Sequence, residues 1–186
     1  ALEVNLSCPN VHDAKTARGA TLVAQAPDDV RLYTQAVRES TKLPLFVKLS
    51  PNIVDIREPA LAAQEAGADA VSLINTLIGM AIDPETRRPR LANIVGGLSG
   101  PCIRPVALKM VWNAAGALDI PVLAMGGICD ASDAVQFFLA GARAVAVGSM
   151  SFRQPDAALR VVQGIEDYMR RHKVADVTDL VGAMET

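Results

Sequence analysis

The chain is poor in the residues that many binding chemistries lean on. Aromatic side chains make up 4% of it, with one Trp, two Tyr and four Phe, which removes a base-stacking platform for nucleic acid. The two histidines, His12 and His172, stand far apart, and the three cysteines, Cys8, Cys102 and Cys129, form no CxxC pair and no Cys/His cluster. Neither a metal site nor a disulfide framework is expected on that spacing; free thiols in a reducing compartment are, and with them a cytoplasmic location. No sign of charge dominates. Eighteen basic residues against 20 acidic ones leave a formal charge of −2 and no basic tract, so neither nucleic acid nor an anionic membrane is an expected partner. Apolar runs are short and broken by Gly, Pro or charge, which predicts no transmembrane span. The opening Ala1-Leu2-Glu3-Val4-Asn5 lacks the basic start of a signal peptide and runs straight into a strand, as if the numbering began inside a larger protein. P-loop and GxGxxG motifs are missing too, which disfavours a nucleoside triphosphate or a Rossmann dinucleotide.

What is present is an alternation. With 51% hydrophobic residues over 186 positions, a chain of this size buries about 70% of its unfolded surface, enough for one core and a single domain over residues 1–186. Apolar runs at Leu2–Leu6, Leu45–Leu49, Ala70–Ile74, Val122–Met125 and Ala144–Val147 lack clean polar alternation, as strands covered on both faces should. Between them lie helical stretches at Asp28–Glu39, Pro59–Ala66, Pro101–Ala115, Ser132–Ala140 and Pro155–Arg171. In the first, Val30, Tyr33 and Val37 fall on one stripe. Ala66-Gly67-Ala68-Asp69-Ala70-Val71 returns as Ala140-Gly141-Ala142-Arg143-Ala144-Val145, a helix-to-strand joint used twice with Gly in the left-handed cap position. Repeated βα units imply parallel strands. The fold class is therefore α/β, part of a TIM (β/α)8 barrel, with a doubly wound open sheet as the runner-up. About three units are missing from eight, and residues 76–100 form an irregular excursion with a hairpin over Met80–Val95.

The chemistry-bearing residues gather at strand C-terminal ends, where barrels place their sites. Asn5-Leu6-Ser7-Cys8-Pro9-Asn10 sets a thiol between two carboxamides. Such a thiol can act as base or nucleophile, or simply pack as a small hydrophobe. Lys48, at the end of an apolar strand, needs a partner or an anion, or else snorkels to water. Ile74-Asn75-Thr76 ends the third strand with two small hydrogen-bonding side chains. Glycine clusters at Gly96-Gly97-Leu98-Ser99-Gly100, Gly126-Gly127 and Gly148-Ser149 bring backbone N–H groups close to an anion, and the last two fit a barrel's phosphate site.

Taken together, Asn5–Asn10, Val47–Asn52, Ile74–Asp83, Gly96–Gly100, Met125–Ile128 and Ala144–Ser149 resemble the dihydroorotate dehydrogenases, FMN-dependent TIM barrels of pyrimidine synthesis. Cys8, where others carry serine, resembles the soluble class 1 enzymes, and Thr76–Pro101 looks like the NAD-linked class 1B type. The resemblance implies the C-terminal five βα units of such a barrel. It implies Cys8 as the base that removes the C5 proton of dihydroorotate while the C6 hydride goes to FMN. Asn5, Asn75 and Thr76 are implied as orotate contacts. Asn5, Lys48, Ile74, Gly100, Gly126, Gly127, Gly148 and Ser149 are implied around FMN, with Lys48 beside the edge that becomes anionic on reduction. A homodimer and an FAD/iron–sulfur electron-transfer subunit are the implied partners. The pattern departs from the family in two places. Its lysine and asparagine contacts on earlier strands have no counterpart here, and Val11–Ala26 is longer and lacks a Phe-Gly step. A related flavin barrel acting on another reduced pyrimidine, of the dihydropyrimidine dehydrogenase kind, is the nearest alternative. A flavin-free phosphate-binding barrel enzyme and a catalytically silent interaction module are more distant ones. By itself the 186-residue chain is expected to leave two sheet edges unpaired, bind FMN poorly and turn over little.

Overall fold

A computed structural model of the chain describes residues 1–8 and 25–185. Pro9, Asn10 and most of the Val11–Ala26 loop singled out above lie outside those residues. The order is β1 (Leu2–Asn5), α1 (Pro27–Ser40), β2 (Leu45–Lys48), α2 (Arg57–Glu65) and β3 (Ala70–Leu73). Four short strands follow: β4 (Leu77–Met80), β5 (Ile82–Asp83), β6 (Arg88–Pro89) and β7 (Val95–Leu98). Then come α3 (Arg104–Ala115), β8 (Val122–Met125), α4 (Ala131–Leu139), β9 (Ala144–Ala146) and α5 (Ala157–His172). Every apolar run named above carries a strand, and every helical stretch carries a helix within three residues of its expected start.

Strands β1-β2-β3-β8-β9 form one parallel sheet in that order. The register sets Asn5 beside Lys48 and Lys48 beside Ser72, so polar residues near the strand ends share one level. The repeated joint works as its sequence predicts. Gly67 and Gly141 both take positive φ, and Ala68 and Ala142 donate back to the carbonyls of Ala63 and Phe137 at 3.0 Å each. This is the bond that closes a helix before the chain turns into a strand. The core lies between sheet and helices, around Val47, Leu49, Val71, Leu73, Val111 and Phe137. Among the described residues, no helix is long and apolar enough to cross a membrane.

Three expectations change. Coverage on both faces holds fully for β3 alone; β1 is mostly exposed and β9 has no buried residue, because they are the outer strands and no described strand pairs beyond them. On α1 the buried residues are Val30 and Thr34, while Tyr33 is 48% exposed. The inward stripe thus steps by four, a face that spares the phenol burial and leaves the Thr34 hydroxyl without a hydrogen-bond partner among the described residues. Residues 77–98 are no irregular excursion. β4 pairs antiparallel with β7, and β5 with β6, so the hairpin starts earlier than Met80. Gly96 and Gly97 lie inside β7 rather than in an anion-binding turn. A side chain at Gly97 would collide with Thr76, which explains the glycine without a ligand.

The end of the sheet away from the polar level is held by Asp69, which accepts from the Leu45 N–H at 2.8 Å and from the Arg38 guanidinium at 2.9 Å. The Leu45 N–H first, and Arg38 with it, hold the Asp69 carboxyl below its ordinary range. Its contribution to stability is then present above the ordinary carboxylate pKa of about 3.9 and lost as pH falls through the lower folded value. The side chain is 52% exposed, so solvent screens the effect. The melting temperature of Asp69→Asn should fall below wild type at neutral pH, with the gap closing below about pH 4. A gap that persists unchanged to pH 2 would show that the carboxylate charge is not what matters.

Candidate functional site

The C-terminal ends of β2, β3, β8 and β9 open onto a cleft of about 510 Å³. Lys48, Ile74, Asn75, Thr76, Gly100, Gly126, Gly127, Gly148 and Ser149 all line it. Residues separated by as much as a hundred positions are brought together because a parallel βα alternation directs every strand end to one rim. Sequence reasoning missed the apolar part of the wall, Ile103, Met125, Ile128, Val147 and Phe152. The signal for these was adjacency, since each stands within four residues of a singled-out glycine. Phe152 is 94% exposed at the cleft's edge.

Lys48 has found a partner. Its ammonium lies 3.8 Å from the Glu3 carboxylate, whose other oxygen accepts from the Ser72 hydroxyl at 2.8 Å. Three adjacent strands therefore contribute a polar layer beneath the cleft, with Lys48 reaching into it. The Glu3 contribution was invisible in the run Leu2–Leu6, where it reads as the solvent side of a strand.

Asn5 and Cys8 are not on the cleft lining but are tied to it. The Asn75 amide donates to the Ser7 carbonyl at 3.0 Å, to the Ser7 hydroxyl at 2.8 Å and to Asn5 Oδ1 at 3.5 Å. The Ser7 N–H and hydroxyl both donate to Asn5 Oδ1, at 3.1 and 2.9 Å. Ser7 is fully buried, whereas Cys8 next to it is half-buried with a free thiol. On the other side, Asn52 donates to the Thr76 carbonyl at 3.0 Å and accepts from the Ile78 N–H at 2.9 Å. Ser7 and Asn52, absent from the sequence-based candidates, thus brace the Asn75–Thr76 segment at the cleft. The other two thiols differ from Cys8. Cys102 is exposed, and burial, helped by Asp133, pushes the Cys129 thiol up from its ordinary pKa.

The glycine end is tight. Gly126 and Gly127 have φ of +130° and +82°, a region open to glycine and costly for other residues. A Cβ on Gly127 would stand 2.8 Å from the Gly100 carbonyl oxygen. Gly148, by contrast, has open space where its Cβ would project. Small residues at one end, apolar walls along the middle and a lysine at the floor fit a flat ring carrying a phosphate tail, as FMN does.

A family profile described as dihydroorotate dehydrogenase matches residues 1–169. The chain is 50% identical over 184 residues to the dihydroorotate dehydrogenase B (NAD(+)) catalytic subunit of Porphyromonas gingivalis, covering 99% of this chain and 58% of that protein. The subunit of the same name from Geotalea uraniireducens is 52% identical over 185 residues, covering 100% and 59%. The chain therefore spans a little under three fifths of the length of these curated relatives. Among solved structures, DHODH from Eimeria tenella in complex with ferulenol superimposes with a TM-score of 0.76 at 27% identity, over 97% of this chain and 53% of that one. Its ligand-free form gives 0.73 at the same identity. With that likeness, the open five-stranded sheet is part of an α/β barrel and not a doubly wound sheet.

Proposed function

The chain belongs to the dihydroorotate dehydrogenase family, and on that premise we propose that its protein oxidises dihydroorotate to orotate, with FMN as cofactor and Cys8 as base. The observation that carries this reading is the Asn75 brace, which joins the Cys8 segment to the floor of a cleft able to take a flat, phosphorylated ring.

Bound FMN supplies the hydride acceptor. The chain's own residues do the rest. Cys8, half-buried and acting as the base, takes the proton from C5 of the substrate, and its position is fixed because the neighbouring Ser7 is held from both sides. The Asn75 amide is spent on that brace, so Asn75 faces substrate through what remains of its carboxamide; its oxygen already accepts from the Thr76 N–H at 2.8 Å. The Asn5 amide and the Thr76 hydroxyl are the more available polar contacts for the pyrimidine ring. Lys48 offers a fixed positive charge at the cleft floor, steadied by Glu3. Gly100, Gly126, Gly127, Gly148 and Ser149 receive the phosphate end.

In this reading residues 1–186 are a single domain, the C-terminal portion of the barrel, acting in pyrimidine synthesis in the cytoplasm. The relatives' designation as catalytic subunits supports a second subunit; we propose that it is an electron-transfer subunit carrying FAD and an iron–sulfur centre, and that the catalytic subunit forms a homodimer. The deciding experiment is turnover of dihydroorotate against dihydrouracil by the native protein, with any flanking chain it carries. Orotate formation by a yellow protein is expected. A colourless protein that takes up no FMN, or one that prefers dihydrouracil, overturns the proposal. Expressed alone, the 186 residues should show little FMN absorbance and little turnover, since β1 and β9 have no described outer neighbours. Stoichiometric flavin on the isolated chain would contradict that.

A further inference from the structure

Two segments that no strand pairing joins make most of the cleft's phosphate end. Gly100 to Ile103 lead into α3, and Gly126 to Ile128 form the turn after β8. Asp133, on the first turn of α4, lies behind both and is only 4% exposed. One of its carboxylate oxygens accepts from the guanidinium of Arg104, the first residue of α3. The other accepts from the Cys129 N–H at 2.9 Å. The Asp133 N–H in turn donates to the Asp130 side chain at 3.0 Å, which fixes the helical turn carrying it. A carboxylate so buried is costly unless both oxygens are satisfied, and here each is satisfied by a different one of the two segments. The segments leave no slack, since the Arg104 backbone nitrogen stands 3.1 Å from where a Cβ on Gly127 would be.

We propose that Asp133, paired with Arg104, is a positioning residue that fixes the spacing of these two segments and so gives the cleft its preference for a phosphorylated flavin over an unphosphorylated one. The inference rests on the flavin reading above. It is separable from that reading because the ring end is held by different contacts. Lys48 is steadied by Glu3, Asn75 by Ser7, and the Thr76 backbone by Asn52. Loosening the Asp133 strap therefore moves phosphate contacts and leaves ring contacts in place.

The test is equilibrium binding of FMN and of riboflavin to the apo form of the native protein, read by flavin fluorescence. Asp133→Asn keeps the side chain's size and removes its charge. It should weaken FMN about tenfold or more, equal to about 1.4 kcal/mol, with riboflavin held within about twofold. Arg104→Gln attacks the pair from its more exposed end, where folding tolerates change, and should give the same selective loss; Arg104→Lys should recover part of it. A merely structural role would weaken both flavins alike. Equal losses, or an intact FMN preference in both Asp133→Asn and Arg104→Gln, overturn the strap alone. A wild-type protein that binds neither flavin overturns the cofactor reading and the strap with it.

Discussion

Replacing Cys8 with alanine in the native protein is expected to cut dihydroorotate turnover by about 10²–10⁴-fold while orotate binding changes by no more than a few-fold. The size follows from removing a positioned base from a proton transfer. The selectivity follows from where the residue sits. Cys8 is half-buried and off the cleft lining, and among the described residues its thiol makes no hydrogen bond to the network that shapes the cleft. Ser7 cannot stand in for it. That hydroxyl is fully buried, its proton is committed to Asn5 and it accepts from Asn75, so it cannot turn toward a substrate without breaking the brace. Cys129 cannot either, since its thiol is pushed up by burial and it stands beside Asp133 at the far end of the cleft. Serine at position 8 should restore some rate, with the pH profile displaced to higher pH because a hydroxyl is the weaker acid. A Cys8→Ala protein that keeps wild-type turnover, or that loses orotate binding in parallel with rate, removes the thiol from the chemistry.

Much of this arrangement is legible in the residues themselves. The strands of the parallel sheet were readable because each is a short Val-, Leu- or Ala-rich run, and all but β1 follow a Gly or Pro joint; in a parallel sheet that local pattern carries most of the topology. Once the strands are aligned, the cleft follows, because Lys48, Asn75, Gly126 and Gly148 all stand at or just past a strand's C-terminal end. What escaped has a common physical cause: partners remote in sequence. Gly97 looks like an anion-binding glycine until Thr76 is seen against it. Asp133 reads as an ordinary acid on a helix's first turn, and nothing local says that Arg104, 29 residues earlier, makes it a buried ion pair. Glu3 and Thr34 are of the same kind. Glu3 looks solvent-facing until Lys48 and Ser72 arrive from neighbouring strands, and the choice of Thr34 over Tyr33 as the inward residue of α1 depends on how that helix packs on α2.

Glycine substitutions at the phosphate end separate what the chain needs from what its ligand needs. At Gly127 an alanine meets two obstacles before any cofactor is considered. A φ of +82° costs a residue with a side chain about 1–2 kcal/mol, and the new Cβ lies 2.8 Å from the Gly100 carbonyl oxygen and 3.1 Å from the Arg104 nitrogen. Both neighbours are backbone and cannot swing away, so the turn after β8 and the entrance of α3 must part. Gly127→Ala should therefore lower the melting temperature of the apoprotein and weaken FMN by about 10²-fold, since about 2.7 kcal/mol is lost when backbone contacts to a phosphate are displaced together. At Gly148 the steric obstacle is gone, since a Cβ there has nothing within 4 Å, although the pairing of φ −103° with ψ −104° lies outside the regions that residues with a side chain favour. Gly148→Ala should lower the apoprotein's melting temperature by less than Gly127→Ala does, since its methyl meets none of the described residues within 4 Å, and should still weaken FMN, because that methyl stands at the proposed phosphate end. If Gly148→Ala binds FMN as wild type does, the phosphate group does not lie against that turn. If Gly127→Ala melts normally and keeps its flavin, the closeness of the two segments is not what shapes the cleft.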